Sequence, residues 1–384
     1  MNNWNKVKLG HVSTLQFGYA YKSEQFIANE IPVIRIGDIT ENGLIPDYNC
    51  CYSKDFWEKH PELQLHENSI LIAMSGATVG KSCLNNRKEK LLLNQRVTSV
   101  IATEKAITNY LLYAIKSDSF KSYVLKASMG CAQPNISGKQ ISDFQIPLPP
   151  IETQKQIAAT LDKVIKIISE NKKLLEKYDL LIKSRFIEMF GDPVANSKGW
   201  NLQKLESLGK WESGGTPSRK NADYFKGNIP WYSAGELNTL YLEDSIEKIT
   251  EEAIKESSAK LFKKGSLFVG MYDTAAFKMG IAKEDCSSNQ ACANINPNSD
   301  TNVLWLYYEL SEMKEFFLQN RRGVRQKNLN LGMIKGFEIP VPPLELQQQF
   351  ASFVQQIDKS KFVVQKSLEK AETLYKSLMQ EYFG

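Results

Sequence analysis

The chain has 384 residues, of which 42% are hydrophobic and 24% are charged, and its formal net charge at pH 7 is +5. This length suits two domains with connecting helices, and the composition is that of a globular protein. No apolar run approaches the roughly 18 residues of a membrane-spanning helix, so we expect no membrane span, and the small positive charge permits a nucleic-acid partner without requiring one.

A duplication organises the chain. Gly130–Gly191 and Gly323–Gly384 align without a gap, 193 residues apart, and each copy carries Ile-Pro-x-Pro-Pro-x-Glu-x-Gln before a long helical pattern. Proline fits the first turn of a helix, and a glycine followed by a proline ends one. We therefore predict four segments: a globular region at 1–150, a helix at 151–193, a second globular region at 194–343 and a second helix at 344–384.

Short apolar runs bounded by Gly, Asn and Pro fill both globular regions and predict strands, for example at Ile31–Ile36, Ser69–Met74 and Ser266–Met271. Helical periods occur near 106–127 and 301–320. Each region is therefore predicted to be a mixed α/β (α+β) domain. Weaker matches at drifting offsets indicate that the two domains share one scaffold and differ in their loops.

Both long helices carry apolar residues at alternating spacings of three and four, which is a heptad seam. About forty helical residues span about 60 Å. The seam residues are Ile157, Leu161, Val164, Ile168, Leu175, Tyr178, Ile182 and Met189 in the first helix, and Phe350, Val354, Ile357, Val364, Leu368, Ala371, Tyr375, Leu378 and Tyr382 in the second.

The polar interruptions of the two seams suggest how the helices pair. In an antiparallel pairing Asn171 falls opposite Lys361, whereas a parallel pairing in register buries each against an apolar residue. We therefore predict an antiparallel coiled coil, pseudo-two-fold symmetric, with an Asn171–Lys361 layer that fixes its register. The alternative is that each helix packs separately on its own domain.

Gly76–Ser82 follows a predicted strand and nearly spells a phosphate-binding loop. Ser75 stands where that motif needs a glycine, and no helical start follows, so nucleotide binding is not expected. The corresponding Tyr272–Gly280 has lost the pattern. Two interpretations stay open: a structural glycine-rich turn, or a turn that offers Ser75, Thr78 and Lys81 to DNA.

Signatures of catalysis and metal binding are missing from the sequence. We find no nucleophile turn, no nuclease pattern, no adenine-methyltransferase signature and no zinc spacing of His or Cys, so we expect neither chemistry nor a metal in this chain alone. The cysteines are expected to be reduced, mostly buried thiols of a cytoplasmic protein. They are Cys50, Cys51, Cys83, Cys131, Cys286 and Cys292.

Basic residues gather at the predicted turns, most densely at 321–327. Such residues often form only a solvated face, but arginine binds guanine or phosphate in bidentate fashion, which favours DNA contact. The candidate DNA-binding residues are Arg35, Ser75, Thr78, Lys81, Arg96, Lys139, Arg219, Lys220, Tyr272, Lys278, Arg321, Arg322, Arg325 and Lys327.

Three groups of motifs resemble the DNA-specificity (S) subunits of type I restriction–modification enzymes. The first is Gly214–Ser218 followed by Tyr224-Phe225 and Ile229–Trp231. The second is the Gly-Ala-Thr-x-Gly-Lys turn ending in Asn94–Val97, with Asn289–Ala291 as its counterpart. The third is the Pro-Pro segment before each long helix. Together they cover nearly the whole chain, although the second half departs from the Gly-Ala-Thr turn.

The resemblance implies two target-recognition domains that each read one half of a split DNA sequence, with the helices as the ruler between them. It implies as partners double-stranded DNA, two methyltransferase (M) subunits and, through them, restriction (R) subunits. S-adenosylmethionine, ATP and Mg are expected on those partners and no cofactor in this chain. Two other hypotheses remain: a purely structural scaffold that binds protein, and a self-sufficient DNA enzyme.

Overall fold

The computed structural model describes residues 4–40, 43–128, 134–319 and 328–384. It divides the chain into two compact units. Unit 1 is Met1–Lys173 together with Gln365–Gly384, and unit 2 is Leu174–Val364. Each unit therefore combines one globular region with half of each long helix, whereas the four segments predicted from the sequence keep both helices whole.

Unit 1 has short strands and short helices, followed by the first long helix. Its strands are β1 (Lys6–Lys8), β2 (Ser13–Phe17), β3 (Ile31–Ile34), β4 (Ile39–Thr40), β5 (Gly43–Leu44), β6 (Cys51–Tyr52), β7 (Ile70–Ala73), β8 (Ser82–Leu84), β9 (Leu92–Leu93), β10 (Val97–Ala102) and β11 (Gln145–Pro147). Its helices are α1 (Lys54–Lys59), α2 (Thr108–Lys116), α3 (Asp118–Ala127), α4 (Gly138–Asp143) and α5 (Ile151–Phe190), of which α5 continues into unit 2.

Unit 2 has the same kinds of elements. Its strands are β12 (Asn201–Lys204), β13 (Gly209–Ser213), β14 (Ile229–Tyr232), β15 (Glu247–Ile249), β16 (Leu267–Gly270), β17 (Met279–Ile281), β18 (Ser287–Ser288), β19 (Cys292–Pro297) and β20 (Glu338–Val341). Its helices are α6 (Glu251–Glu256), α7 (Val303–Glu312), α8 (Lys314–Gln319), α9 (Leu331–Lys335) and α10 (Leu344–Phe383), of which α10 ends in unit 1.

The strands of the two units pair in the same way. An antiparallel sheet has the order β2-β10-β7-β8 in unit 1 and β13-β19-β16-β17 in unit 2. A smaller sheet, β6-β3-β9 or β15-β14-β18, contains one parallel pair, and β1 with β11 matches β12 with β20. The predicted fold class, two similar mixed α/β domains with two long helices, is confirmed.

A buried glutamine ties each long helix to its domain at the Pro-Pro segment. Gln154 is 1% exposed; its Oε1 accepts from the backbone N–H of Ile107 at 3.0 Å, and its Nε2 donates to the Pro149 carbonyl at 2.9 Å. Gln347 is fully buried and repeats this, accepting from Asn302 and donating to Pro342, both at 2.8 Å. The last residue of the repeated motif is therefore a hydrogen-bonded clamp.

The first half of α5 and the last residues of α10 run antiparallel in unit 1. Ile157 and Leu161 share one hydrophobic core with Phe383, and the Asn171 amide donates to the Ser367 hydroxyl at 3.1 Å. The early residues Ile157 and Leu161 of α5 lie near the last residue of α10, whereas the later Asn171 lies near the earlier Ser367, so the two helices are antiparallel. All the predicted seam residues of both helices are buried or half-buried, so the seam is confirmed.

The second half of α5 and the first half of α10 also run antiparallel, within unit 2. The ring of Phe350 packs edge-on against Phe186 and Phe190, at centroid distances of 5.4 and 5.5 Å. Further along, the Lys361 ammonium donates to the Asp179 carboxylate at 2.6 Å. The phenylalanines are buried, while the ion pair lies at the surface.

The predicted Asn171–Lys361 layer is wrong. Asn171 takes Ser367 as its partner and Lys361 takes Asp179, so the helices pair in a different register. The physical reason lies at the helix ends, where Phe350 and Phe383 are buried in hydrophobic cores. Burying large aromatic side chains stabilises a register by more than one central polar contact does.

Candidate nucleic-acid interface

One end of the four-stranded sheet of unit 1 collects several of the predicted DNA-binding residues. The strands are antiparallel: Phe17 ends β2 beside Thr98, Val97 begins β10 beside Ala73, and Ile72 lies beside Ser82 at the start of β8. The segments that follow β2 and β7 therefore lie at the same end as those that precede β10 and β8. These segments are 18–19, 74–81 and 94–96.

Backbone hydrogen bonds join these segments into one surface. The N–H of Met74 donates to the Arg96 carbonyl at 2.8 Å, and the N–H of Asn94 donates to the Ile34 carbonyl at 3.1 Å, which places Arg35 alongside. The structure thus brings Arg35, Ser75, Thr78, Lys81 and Arg96 to this sheet end. It also ties in the segment 134–139, through a bridge from Ser75 to Asn135, and with it Lys139.

The turn after β7 presents Lys81 to solvent and turns its hydroxyls inward. The Ser75 and Thr78 oxygens are buried and have no hydrogen-bond partner in the part of the chain that the structure describes. The segment beginning at Pro134 covers them, since the Gly76 N–H donates to the Pro134 carbonyl at 2.9 Å. Of the three contacts predicted in this turn, only the Lys81 side chain is accessible.

The turn does not form a phosphate-binding loop. Gly76–Thr78 is a single 3-10 turn, and the strand β8, not a helix, follows it. The strand agrees with the sequence-based expectation that no helix starts after the motif. The turn connects two strands, as its structural interpretation predicts.

Unit 2 keeps the backbone of this turn although its sequence pattern is lost. In unit 1 the N–H of Gly80 donates to the Ala73 carbonyl at 2.8 Å, and in unit 2 the N–H of Phe277 donates to Gly270 at 2.8 Å. Gly80 has φ +81° and Phe277 has φ +57°, so a phenylalanine here adopts the left-handed conformation that usually favours glycine. Lys278 therefore occupies the place of Lys81.

The cationic side chains of unit 1 fall into two states. Lys81, Arg96 and Lys139 are exposed, and their charged groups have no hydrogen bond or ion pair with any described residue. Arg35 is different, because its Nη2 donates to the Asp47 carboxylate at 2.6 Å. The three free cations are therefore available to a polyanion, whereas Arg35 has to break an ion pair first.

The candidate DNA-binding residues of unit 2 also divide into side chains with a protein partner and side chains without one. Arg219 donates through both terminal nitrogens to the Glu247 carboxylate and stacks over the Phe225 ring at 4.2 Å. Hydrogen bonding from Arg219 holds the pKa of Glu247 below its usual range. Lys278 makes a long contact of 3.4 Å from Nζ to the Gly235 carbonyl. Lys220 and Tyr272 are exposed, and no described residue pairs with either side chain.

The densest predicted cluster, Arg321, Arg322, Arg325 and Lys327, lies outside the described residues. Two exposed aromatics that sequence reasoning missed lie at the sheet end of unit 1. Phe17 is 51% exposed and Tyr19 is 48% exposed, and the Tyr19 ring packs edge-on against Tyr21 at 5.3 Å. Because they continue an ordinary strand pattern, nothing in the sequence distinguishes them from core residues.

Apolar side chains also lie exposed on the long helices, away from the seam. In unit 1 these include Ile167, which is 45% exposed. In unit 2 they include Leu180 at 64%, Leu181 at 46% and Val363 at 67%. Exposed apolar side chains that form a contiguous patch are typical of a surface that another protein covers.

The described residues contain no group of three or more His, Cys, Asp or Glu side chains placed to hold a metal ion. The cysteines at 50, 51, 83, 286 and 292 are free thiols, and all but Cys50 are buried. No helix in the described ranges is long and apolar enough to cross a membrane.

Comparison with protein families gives one match across both halves of the chain. The family model described as the type I restriction modification DNA specificity domain matches residues 1–177 and again 197–372. Each matched stretch covers one globular region and much of the long helix that follows it.

Individual proteins give concordant similarities. The MjaIX specificity subunit of Methanocaldococcus jannaschii is 29% identical over 191 residues, which are 48% of this chain and only 44% of that protein. The EcoBI specificity subunit of Escherichia coli is 22% identical along the whole chain and 86% of its own length. The crystal structure of an S subunit from M. genitalium shares the fold, with a TM-score of 0.66, 15% identity and coverage of 100% of this chain and 98% of that one.

Proposed function

The chain belongs to the type I restriction modification DNA specificity family, and we propose that it is the DNA-binding specificity subunit of a type I restriction–modification system. One observation carries the DNA-binding part: the free cations Lys81 and Arg96 lie at one sheet end of unit 1, and the free cation Lys139 lies in α4, beside the edge strand β2. Free cations on a rigid surface suit the phosphates and base edges of DNA.

In this proposal each globular domain reads one half of a bipartite target. The support is the duplicated sheet order, which gives both domains the same scaffold, together with sequence differences at equivalent positions of the loops at the sheet end. Tyr272 replaces Ser75, and Ala291 replaces Arg96. Like scaffolds with unlike surfaces suit half-sites of different sequence.

The long helices set the gap between the half-sites in this proposal. A 40-residue helix is about 60 Å long, or roughly 17 base pairs at 3.4 Å each. The exposed Leu180, Leu181 and Val363 support a second role, as the docking surface for methyltransferase subunits that in turn recruit restriction subunits. Catalysis, S-adenosylmethionine, ATP and Mg belong to those partners, and the chain acts on chromosomal DNA in the cytoplasm.

The decisive experiment compares adenine methylation across a genome with and without this chain, in the presence of its methyltransferase subunits. We expect a split adenine-methylated motif that disappears when the chain is removed. A purely structural scaffold predicts that no sequence-selective motif depends on the chain. A self-sufficient enzyme predicts methylation or cleavage by the isolated chain.

Two variants distinguish the role of the globular domains in base recognition from the role of the long helices in setting the gap. Exchange of residues 1–150 with those of a relative should change one half-site only, and a change in both or in neither contradicts independent readers. Insertion of seven residues into both long helices should lengthen the gap by about three base pairs, since each residue adds 1.5 Å, and should leave both half-sites unchanged.

The docking surface has its own test. Leu180→Asp combined with Leu181→Asp should weaken assembly with the methyltransferase subunits in size-exclusion chromatography, because both side chains are exposed and apolar. Lys177→Asp, an exposed position one turn away, is the matched control and should assemble normally. Equal assembly of both variants argues against docking at this face.

A further inference from the structure

Two equivalent loops, Asn94–Arg96 and Asn289–Ala291, are held by the same hydrogen bonds. The side chain of Asn94 accepts from the N–H of Arg96 at 3.0 Å, and that of Asn289 accepts from the N–H of Ala291, also at 3.0 Å. Each loop is built as a rigid platform, and the residue at its third position is fixed in place.

The platforms are anchored alike to the strands beside them. The carbonyl of Arg96 accepts from Met74 at 2.8 Å, and that of Ala291 accepts from Met271 at 2.9 Å. Asn94 donates from its N–H to the end of β3 at 3.1 Å, and Asn289 donates to the end of β14 at 2.9 Å. Arg96 and Ala291 therefore occupy equivalent positions in two copies of the same loop structure.

Arg96 stands apart from the other arginines that the structure describes. The guanidinium groups of Arg35, Arg87, Arg185 and Arg219 each donate a hydrogen bond to a carboxylate. Arg96 is exposed, and its guanidinium makes no hydrogen bond or ion pair within the described ranges. A free guanidinium on a fixed backbone keeps its whole donor fork for a ligand.

The geometry of the guanidinium donors indicates which ligand Arg96 binds. A guanidinium presents parallel N–H donors that match O6 and N7 of guanine in the major groove, and this is the commonest specific contact between an arginine and a base. A platform that already fixes the backbone lowers the entropy lost on binding. Ala291 offers no donor at all, so the same platform in unit 2 lacks this contact.

We propose that Arg96 reads a guanine in the half-site bound by the first domain, and that Ala291 leaves the equivalent base of the other half-site without arginine readout. This rests on the proposed function and adds to it a base, a residue and a reason for the asymmetry of the target. The competing role for Arg96 is a phosphate contact, which carries no sequence information.

The test measures methylated motifs in cells that contain the methyltransferase subunits and either the wild-type chain or Arg96→Ala. The half-site of the first domain is identified by the exchange of residues 1–150. We expect that half-site to contain an invariant G·C pair, and Arg96→Ala to reduce discrimination at that pair by roughly 5- to 150-fold while the other half-site stays intact. Intact discrimination at the other half-site also shows that the variant is folded.

Controls separate base reading from charge. Lys88→Ala removes an exposed cation from the loop after the far end of β8, and it should leave every position of the motif unchanged. Arg96→Lys keeps the charge but loses the fork, so it should also relax the G·C pair. If Arg96→Ala lowers methylation evenly at all bases, Arg96 contacts phosphate and the inference fails. If Arg96→Lys keeps full discrimination at the G·C pair, the paired donors of the guanidinium are not what reads the base, and the arginine readout fails as well.

Failure of the proposed function looks different. If the wild-type chain supports no split motif, the specificity role itself is overturned, and base reading by Arg96 with it. If a split motif forms but the first half-site contains no G·C pair, the specificity role stands and only the assignment of Arg96 is overturned.

Discussion

The ammonium of Lys361 on α10 donates a hydrogen bond to the carboxylate of Asp179 on α5, at 2.6 Å. Their side chains are 30% and 66% exposed, so solvent screens the pair. One helix turn away from this pair, the two helices are held by seam residues. The ion pair therefore contributes little to the register of the two helices. The burial of aromatic side chains at the helix ends determines that register.

Because the ion pair is exposed and the aromatic rings are buried, we expect Lys361→Met and Phe350→Ala to lower the free energy of unfolding by different amounts. Lys361→Met should change the free energy of unfolding by less than about 1 kcal/mol, because exposed ion pairs contribute little. Phe350→Ala should lower it by about 3–5 kcal/mol, because the ring is fully buried against Phe186, Phe190 and Tyr308. Urea denaturation measures both, with the exposed Val363→Ala as control. A larger effect for Lys361→Met than for Phe350→Ala contradicts this view.

The glutamine clamp gives a second prediction. Gln154→Leu keeps the volume but leaves the Ile107 N–H and the carbonyls of Lys105 and Pro149 without their partner. Unsatisfied buried groups cost about 1–3 kcal/mol each, so we expect unfolding at clearly lower denaturant concentration. Gln156→Leu, exposed on the same helix, should fall within about 0.5 kcal/mol of wild type. Similar midpoints for the two variants would show that the clamp contributes nothing.

A buried carboxyl in α7 makes stability depend on pH. Burial raises the pKa of Glu309 to about 8, its ordinary value being 4.5, and its Oε1 has no hydrogen-bond partner among the described residues. The folded state therefore binds a proton that the unfolded state releases, so the free energy of unfolding falls as pH rises from 4.5 to about 8. The shift corresponds to at most about 5 kcal/mol.

Glu309→Gln removes this titration and keeps the shape of the side chain. Compared with wild type, the variant should gain stability at pH 8 and lose that advantage at pH 5. Urea denaturation of both proteins at the two pH values measures the difference, which cancels all other titrating groups. An advantage of the same size at both pH values would show that Glu309 does not titrate in this range.

The free cations of the sheet end predict a salt dependence of DNA binding. In the complex with its methyltransferase subunits, Lys81→Ala should weaken binding about equally for all sequences and reduce the slope of log K against log salt by about 1. Fluorescence anisotropy with target and scrambled duplexes measures both effects. Lys88→Ala should leave the slope as it is. An unchanged slope for Lys81→Ala would remove this lysine from the interface.

Some of this structure is readable from the sequence, and the seam shows why. Burial along α5 and α10 follows the three–four spacing, so periodicity alone predicts which face of each helix is covered. The register is not contained in that spacing, because a shift by one heptad leaves the pattern intact. It depends on where Phe350 and Phe383 dock, which is a property of the folded domains.

The candidate interface is readable only in part. Sequence spacing places Lys81 and Arg96 next to turns, but it cannot show that Arg35 and Arg219 are paired with Asp47 and Glu247, 12 and 28 residues further along the chain. It also hides the shared turn of the two domains, since Phe277 adopts a backbone conformation that no motif search assigns to phenylalanine.

The division of unit 1 between residues 1–173 and 365–384 sets an order of events during synthesis. Phe383, which shares the core of that unit with Tyr110 and Leu161, leaves the ribosome only after the whole of unit 2. At 5–20 residues per second, the interval between Lys173 and Gln365 is roughly 10–40 s. Throughout that interval the nascent first domain lacks Phe383 and the other α10 side chains that complete its hydrophobic core, so the apolar surface that they cover stays open to solvent.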